Sequence, residues 1–521
     1  MGAQGNSGIL GIGDFSMTSL LSFFQGVYFN FGLVVIVAGV SAPVFLWLFS
    51  RKTVQEHVAK VRVSTVLAVG ILLRVLWAAS MYPDAIVELD GYKTYATELA
   101  AGQPMGVEFF GHPTAIQMPA ISFLMAFGFR LCQCNDDAVA IILQVLFYIL
   151  SAVSIYVIGV RLFSKNAALI AVWLLTLFPS QIIHASFVAS DLAEQAFWAA
   201  GVAVFLLSKS YQSSRWGVLL SVVAGFLWGM ALLSRATALV YVLAVLMLFA
   251  VVDVFKHRSL PWQRIYMPCL AAFLAMWSIW IVRNYRVFET FVPLTTAGGT
   301  NLYIANNSVA SVTRFGYTEC KSLDDCDSTR TEDVDRPDAS PPVATDLASA
   351  REVTAYENVS FMSFSGRTVL EEVLKDRVYL QEAIAYILYN PWRVLSQAPA
   401  KLVFLFVIDS SMLSVALSKR YAVSMWQLDI MSGVVNGYNI LVLGLGLVWA
   451  LLARRQQFVL PERLFGVVLF ASMAAIFTFY IVQTRYHTVA IPVICLYAAN
   501  ALAGIGVSLR RPDWMPNGPI P

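Results

Sequence analysis

Apolar residues in this chain come in long unbroken runs, not in the alternating or one-faced patterns of a soluble fold. Runs near the length of a bilayer crossing cover 27–49, 63–82, 139–160, 166–183, 192–207, 216–233, 236–254, 265–282, 431–452, 464–482 and 489–507. About 20 apolar residues in a helix span the hydrocarbon core. Backbone polar groups find no water there, which selects helix. The pattern predicts an all-α polytopic membrane protein with about 11 transmembrane helices. Two more apolar stretches, 118–131 and 399–417, do not fit as crossings. Counting either alone inverts every later loop, and counting both inverts everything between them. They are expected as juxtamembrane helices on or dipping into the outer leaflet. The stretch 308–366 is polar and rich in Asp, Ser, Thr and Pro, and predicts an exposed loop. A helix is expected over 371–389, stopped by Asn390-Pro391-Trp392. No internal repeat is visible.

Composition agrees with the pattern. Of 521 residues, 58% are hydrophobic and 13% charged, with mean hydropathy +0.69. Soluble proteins carry roughly 25% charged residues. A net charge of +3 gives no support to a nucleic-acid partner. No Walker or dinucleotide glycine pattern appears, which argues against an ATP-driven pump. No Lys or Arg precedes the first run, so no cleavable signal peptide is expected.

Charge sorts the short loops. One set holds Arg51, Lys52, Lys60 and Arg62, then Arg161 and Lys165, Lys209 and Arg215, Lys256, Arg258 and Arg264, Arg454, Arg455 and Arg463, and Arg510 and Arg511. The positive-inside rule places this set in the cytoplasm. The expected organisation is an N-terminal extra span with its cytoplasmic loop over 1–62, and a transmembrane core over 63–282 containing an outer loop at 83–138. A large outer loop with a juxtamembrane helix follows over 283–430, then C-terminal spans and a tail over 431–521. Among six cysteines, Cys269 and Cys495 fall in spans, while Cys132, Cys134, Cys320 and Cys326 fall outside. Four cysteines allow three pairings. The close spacing of Cys320 and Cys326 favours their bridging each other in an oxidising compartment. A metal site there is disfavoured, because no His accompanies them.

Charges within or beside a membrane cost roughly 2.5–3.5 kcal/mol at mid-span, so each invites an explanation. Asp84, Glu88 and Asp90 form the first acidic cluster after a span, ahead of Tyr92, Tyr95, Leu99 and Ala100 at helical spacing. Asp90 has two readings, a helix cap or a catalytic carboxylate. Arg74 lies inside a span and calls for a buried carboxylate partner or a substrate. Asp191 and Glu194 open a span at its outer end, where they complement the helix dipole or do chemistry. Arg235, Arg283, Lys401 and Arg485 fall on the outside beside the bilayer, against the charge rule. Snorkelling accounts for one or two of them; four suggest an anionic ligand, and arginine suits phosphate. A carboxylate facing phosphate-binding arginines is what glycosyl transfer from a lipid phosphate needs. The carboxylate takes a proton from the acceptor hydroxyl, and the arginines stabilise charge on the departing phosphate.

The chain resembles the GT-C superfamily of polyprenyl-phosphate-sugar-dependent glycosyltransferases, in the branch with the protein O-mannosyltransferases and aminoarabinose transferases. Leu89-Asp90-Gly91-Tyr92 through Gly102 is similar to that family's first outer loop. His112-Pro113 and Met118-Pro119 resemble its Pro-rich approach to a juxtamembrane helix. Phe178-Pro179 through Ser190-Asp191 resembles its second outer loop. Leu233-Ser234-Arg235, Trp280 to Asn284, Gly298 to Asn307 and Thr484-Arg485-Tyr486-His487 resemble its later turns. The resemblance covers roughly 63–508 and implies a GT-C-type bundle with juxtamembrane helices and a large outer loop. It further implies an inverting transferase in the bacterial inner membrane, working at the periplasmic face. The donor would be a sugar on polyprenyl phosphate, and the acceptor a protein, lipid or glycan hydroxyl. Asp90 would be the base, with Asp191 assisting, and Arg485, Arg283, Arg235 and Lys401 would hold the donor phosphate. Tyr92, His112, His184, Glu194, Tyr486, His487 and Asn301 would line the pocket. Some relatives bind a divalent metal with such carboxylates. Many also have Asp-Glu where this chain has Asp90-Gly91, which leaves Glu88 as a rival base. Two other classes stay open: a lipid-linked-glycan flippase or secondary transporter, and a ligase-like transferase using a diphosphate donor.

Overall fold

The computed structural model describes residues 61–82, 86–88, 90–257, 261–307, 368–418, 423–453 and 461–508. The expected first span at 27–49 and the Cys320–Cys326 pair lie outside the described residues. Eight described helices are long and apolar enough to cross a membrane, and two bent pairs raise this to as many as ten. The eight windows are Val63–Met81, Asp137–Leu162, Asp191–Ser210, Arg215–Ser234, Ala238–Phe255, Trp262–Phe288, Trp426–Trp449 and Thr484–Ala503. Ala120–Cys132 and Phe465–Phe479 are shorter apolar helices.

The Asp191–Ser210 helix sits at the centre, 83% buried inside the protein, whereas Trp262–Phe288 at the rim is 28% buried. Trp198 and Phe205 of the central helix pack with Trp228, Tyr241, Phe249 and Tyr266. Outward-facing Leu72, Phe226 and Met247 stay exposed, as lipid-facing positions do. Close helix approach needs small residues: a Cβ on Gly225 would meet the Cys269 carbonyl oxygen at 2.0 Å.

Two expected elements are broken in the structure. The single span expected at 166–183 is a Lys165–Thr176 helix and a Pro179–Ser186 segment bent by 58°. Pro179 supplies no N–H to continue the first helix, so it begins a new one. The break leaves carbonyls at the end of the first helix within reach, and Arg74 bonds two of them along with one of its own helix. Its NH1 donates to Thr176 O at 3.3 Å and to Gly70 O at 3.1 Å, and NH2 to Leu175 O at 3.4 Å. Its guanidinium lies 3.5 Å from the Tyr148 ring centroid. The carboxylate partner expected for Arg74 is therefore replaced by carbonyls and a π face.

The juxtamembrane helix expected at 399–417 is likewise two helices, Pro391–Phe406 and Ser411–Ser418, bent by 55°. Lys401 lies inside the first of them, not at its start. The other juxtamembrane helix is Ala120–Cys132, and the helix before Asn390 is Val369–Tyr389. At the end of the former, Cys132 is bonded to Cys134; the expectation had centred on the other two outside cysteines.

Candidate active site

The site begins with a two-residue sheet that periodicity does not reveal. Strand β1, Val87–Glu88, pairs in parallel with β2, Phe187–Val188, in the register Val87↔Phe187 and Glu88↔Val188. Gln144 braces β2, donating from Nε2 to Phe187 O at 2.7 Å and Ala189 O at 3.1 Å. The register carries the two loops forward side by side, which brings Asp90 level with Ser190 and Asp191.

Asp90 and Gly91 both take left-handed backbone conformations, with φ of 64° and 76°. Asp tolerates this region better than most residues, and Gly accepts it without penalty. The double turn separates the two candidate acids. Glu88 Oε1 accepts from the N–H of Lys93 at 2.9 Å and of Thr94 at 3.2 Å, so Glu88 caps the Tyr92–Ala100 helix. Asp90 is thereby relieved of capping, and its Oδ2 accepts from Arg485 NH2 at 2.9 Å.

Arg485 comes from the Thr484–Ala490 segment, a tight helical turn that opens the last membrane-length window. Its Nε donates to Gln483 Oε1 at 2.7 Å, and its NH1 lies 3.6 Å from Asp191 Oδ2. Neither that NH1 nor that Oδ2 makes a hydrogen bond among the described residues. Asp191 Oδ1 accepts from Arg235 NH1 at 2.5 Å. Arg235 Nε lies 3.7 Å from Glu194 Oε2, and its guanidinium sits 4.1 Å from the Tyr486 ring centroid. Glu194 Oε1 accepts from Thr237 at 2.9 Å and from the Tyr241 hydroxyl. Burial pulls the Arg235 guanidinium down, and the charges of Asp191, Tyr486 and Glu194 reverse this and raise it well above its ordinary value. Tyr92 donates to Ser190 Oγ at 3.0 Å. Burial first, and the Asp90 carboxylate second, push its hydroxyl up.

The structure therefore gathers Asp90, Asp191, Glu194, Arg235, Arg485, Tyr92 and Tyr486. His184 and His487 stand behind them, both buried. His184 Nδ1 is 2.7 Å from Ser180 O, and His487 Nε2 is 3.2 Å from Asp409 Oδ1. Lys401 Nζ donates to Thr478 O at 3.1 Å, near the end of the Phe465–Phe479 helix that precedes Gln483.

Arg283, Asn301 and His112 belong elsewhere. Arg283 NH1 donates to Thr114 O at 2.9 Å and Asn284 Oδ1 at 3.0 Å. His112 Nδ1 stands 3.7 Å from Glu372 Oε2, and Asn301 lies on the Gly298–Ala305 helix. This second cluster centres on Glu372, whose Oε1 accepts from Thr114 Oγ1 at 3.0 Å, Ala115 N at 3.1 Å and Thr296 Oγ1. Burial pushes the Glu372 carboxyl up, and the neighbouring Asp376 up to about 6. Glu372, Asp409 and Gln483 were missed in the sequence. Asp409 carried a signal, a lone acid in an apolar stretch. Glu372 did not, since an acid in the first turn of a polar helix looks solvent-facing.

Arg485 already bridges Asp90 and Asp191, and no group of three His, Cys, Asp or Glu side chains among the described residues converges to hold an ion.

Residues 112–282 match the model of the dolichyl-phosphate-mannose-protein mannosyltransferase family. The matched segment contains Asp191, Glu194 and Arg235, and leaves Asp90 and Arg485 outside it. No curated relative matches the sequence. Two of the similar solved structures come from different organisms. One is the archaeal oligosaccharyltransferase AglB from Archaeoglobus fulgidus, in complex with an inhibitory peptide and a dolichol-phosphate. It has 14% identity and a TM-score of 0.46, over 85% of this chain and 50% of that one. The other is ArnT from Cupriavidus metallidurans bound to undecaprenyl phosphate, with 15% identity and a TM-score of 0.38, over 84% of this chain and 77% of that one. The chain thus spans about half the length of the archaeal protein.

Proposed function

We propose that this chain is a GT-C-type, inverting glycosyltransferase that moves a sugar from a polyprenyl monophosphate to an acceptor hydroxyl. The observation that carries the reading is Arg485 lying between Asp90 and Asp191, with its NH1 free of hydrogen bonds among the described residues. A guanidinium presents a fork that matches phosphate oxygens. In our reading the donor phosphate engages Arg485, with Arg235 behind it, and draws Arg485 away from Asp90. Asp90 then accepts the proton of the acceptor hydroxyl. That oxygen attacks the anomeric carbon as the bond to phosphate breaks on the opposite face, which inverts the configuration. The negative charge left on the phosphate falls against the arginines. Asp191 keeps Arg235 in place and orients the acceptor. Lys401 is the reserve cation; Arg283 is assigned to the Glu372 cluster.

Sidedness follows from charge. Arg161, Lys209, Arg264 and Arg463 lie at the end of the bundle opposite Asp90, and the positive-inside rule puts that end in the cytoplasm. The site then faces the non-cytoplasmic side, which we read as the periplasmic face of a bacterial inner membrane. The matched family's dolichyl-phosphate donor supports a monophosphate lipid. Purified protein in nanodiscs, supplied with sugar on polyprenyl monophosphate or on polyprenyl diphosphate, tests the donor. Transfer from the monophosphate alone is expected; transfer from the diphosphate alone would favour the ligase-like alternative.

A further inference from the structure

The bend between Pro391–Phe406 and Ser411–Ser418 is held open by two asparagines of the Met425–Ala453 helix. Asn439 Nδ2 donates to Phe406 O at 2.8 Å and Val407 O at 3.2 Å, covering carbonyls that the first helix leaves free. Asn436 Oδ1 accepts from the N–H of Asp409 at 2.7 Å and of Ser410 at 3.0 Å, covering donors at the start of the second. Backbone among apolar helices tolerates such a break only where its polar groups find protein partners. So much stabilisation invites the question of what the bend delivers.

It delivers two contacts to one turn. Asp409 Oδ1 lies 3.2 Å from His487 Nε2, an electrostatic contact in which that nitrogen makes no hydrogen bond among the described residues, and Ser411 Oγ hydrogen-bonds Thr484 Oγ1. Residues 484 and 487 flank Arg485, so both contacts grip the short Thr484–Ala490 segment that carries it. Asp409 and His487 are buried, at 3% and 0% exposure. Asp409 Oδ2 makes no hydrogen bond among the described residues. An acid buried that deeply with one oxygen unbonded is costly as a mere staple, and an apolar pair would hold two helices at less cost.

We infer that Asp409 is a positioning residue for Arg485, acting through His487 and the turn between them. This rests on the proposed role of Arg485 in holding the donor phosphate. A grip on both sides of the arginine fixes where its guanidinium meets the phosphate. The grip's contacts are to the segment that carries Arg485, so its loss is read first in donor binding.

The test uses the full chain in nanodiscs, with donor kinetics and with binding of polyprenyl monophosphate lacking the sugar. Asp409→Asn should raise the donor KM about tenfold and leave kcat within about twofold, the signature of lost ground-state binding. The Kd for the sugar-free lipid should rise by the same factor, and Asp409→Glu should restore most of it. On an Arg485→Ala background, Asp409→Asn should add nothing, because the two act on one interaction. Unchanged donor KM in folded Asp409→Asn, or a full additional loss on the Arg485→Ala background, would overturn the inference. If Asp409→Asn does not fold, Ser411→Ala carries the test. A donor KM raised about threefold supports the grip, and an unchanged KM overturns it. Wild-type protein that fails to bind polyprenyl monophosphate overturns the donor reading itself. Wild-type binding with unaltered variants overturns only the grip.

Discussion

The two ends of the bundle each bury an ion pair, and they use it differently. At one end, Lys209 Nζ donates to Asp253 Oδ1 at 2.6 Å and the Tyr266 hydroxyl to Oδ2 at 2.7 Å. Both carboxylate oxygens are engaged, and the pair ties three helices together. Nearby, Arg161 reaches Ser210, Arg264 reaches Ser213 O, and Arg463 reaches Leu162 O. At the other end Asp191 is still more buried, yet its Oδ2 and the facing Arg485 NH1 both lack hydrogen bonds among the described residues. Burying a charge is costly unless its bonding capacity is met. The first end looks like structure because that capacity is spent. The second keeps donor and acceptor capacity in reserve, beside Asp90, Glu194 and Arg235.

The comparison can be broken at either end. Arg485→Ala removes the shared cation and should reduce kcat/KM for the donor by about 10²–10³-fold, the usual loss for one preorganised charge-stabilising donor. Donor titration in a folded variant checks this, and an unchanged efficiency would leave Arg485 as a structural partner of Asp90. Lys209→Met strands the Asp253 carboxylate and should lower stability by about 3 kcal/mol, read as a drop in melting temperature, with kcat unaltered. A fall in turnover without a fall in stability would dissolve the contrast. The smallest effect is expected at Glu88→Gln. A weakened cap costs about 1 kcal/mol, and turnover should stay within a few-fold, measured with saturating donor.

Charge in an apolar chain is conspicuous, and this made much of the site legible. Asp90, Asp191, Arg235 and Arg485 stand out because nothing in the lipid-facing pattern calls for them. Their proximity does not show in the sequence, since Arg485 and Asp90 are separated by 395 positions. The choice between Glu88 and Asp90 was also hidden. It depends on two successive left-handed residues and on which carboxylate reaches the Lys93 and Thr94 N–H groups. The spans were legible from length and hydropathy, but their breaks were not. Pro179 marked one, whereas the bend before Ser411 contains no proline and is set by Asn436 and Asn439 from another helix. Arg283 shows the opposite failure. It broke the charge rule as Arg485 did, yet its partners are a carbonyl and an amide in the Glu372 cluster.

The central claim is that Glu88 caps the helix while Asp90 is left for proton transfer. Single-turnover transfer by Asp90→Asn, with donor prebound, tests it most directly. Asn preserves the size of the side chain and cannot act as a base. The account predicts donor binding close to wild type and a transfer rate lower by about 10²–10⁴-fold, with Glu88→Gln near normal in the same assay. Near-normal transfer by Asp90→Asn together with a dead Glu88→Gln would contradict the account and make Glu88 the base.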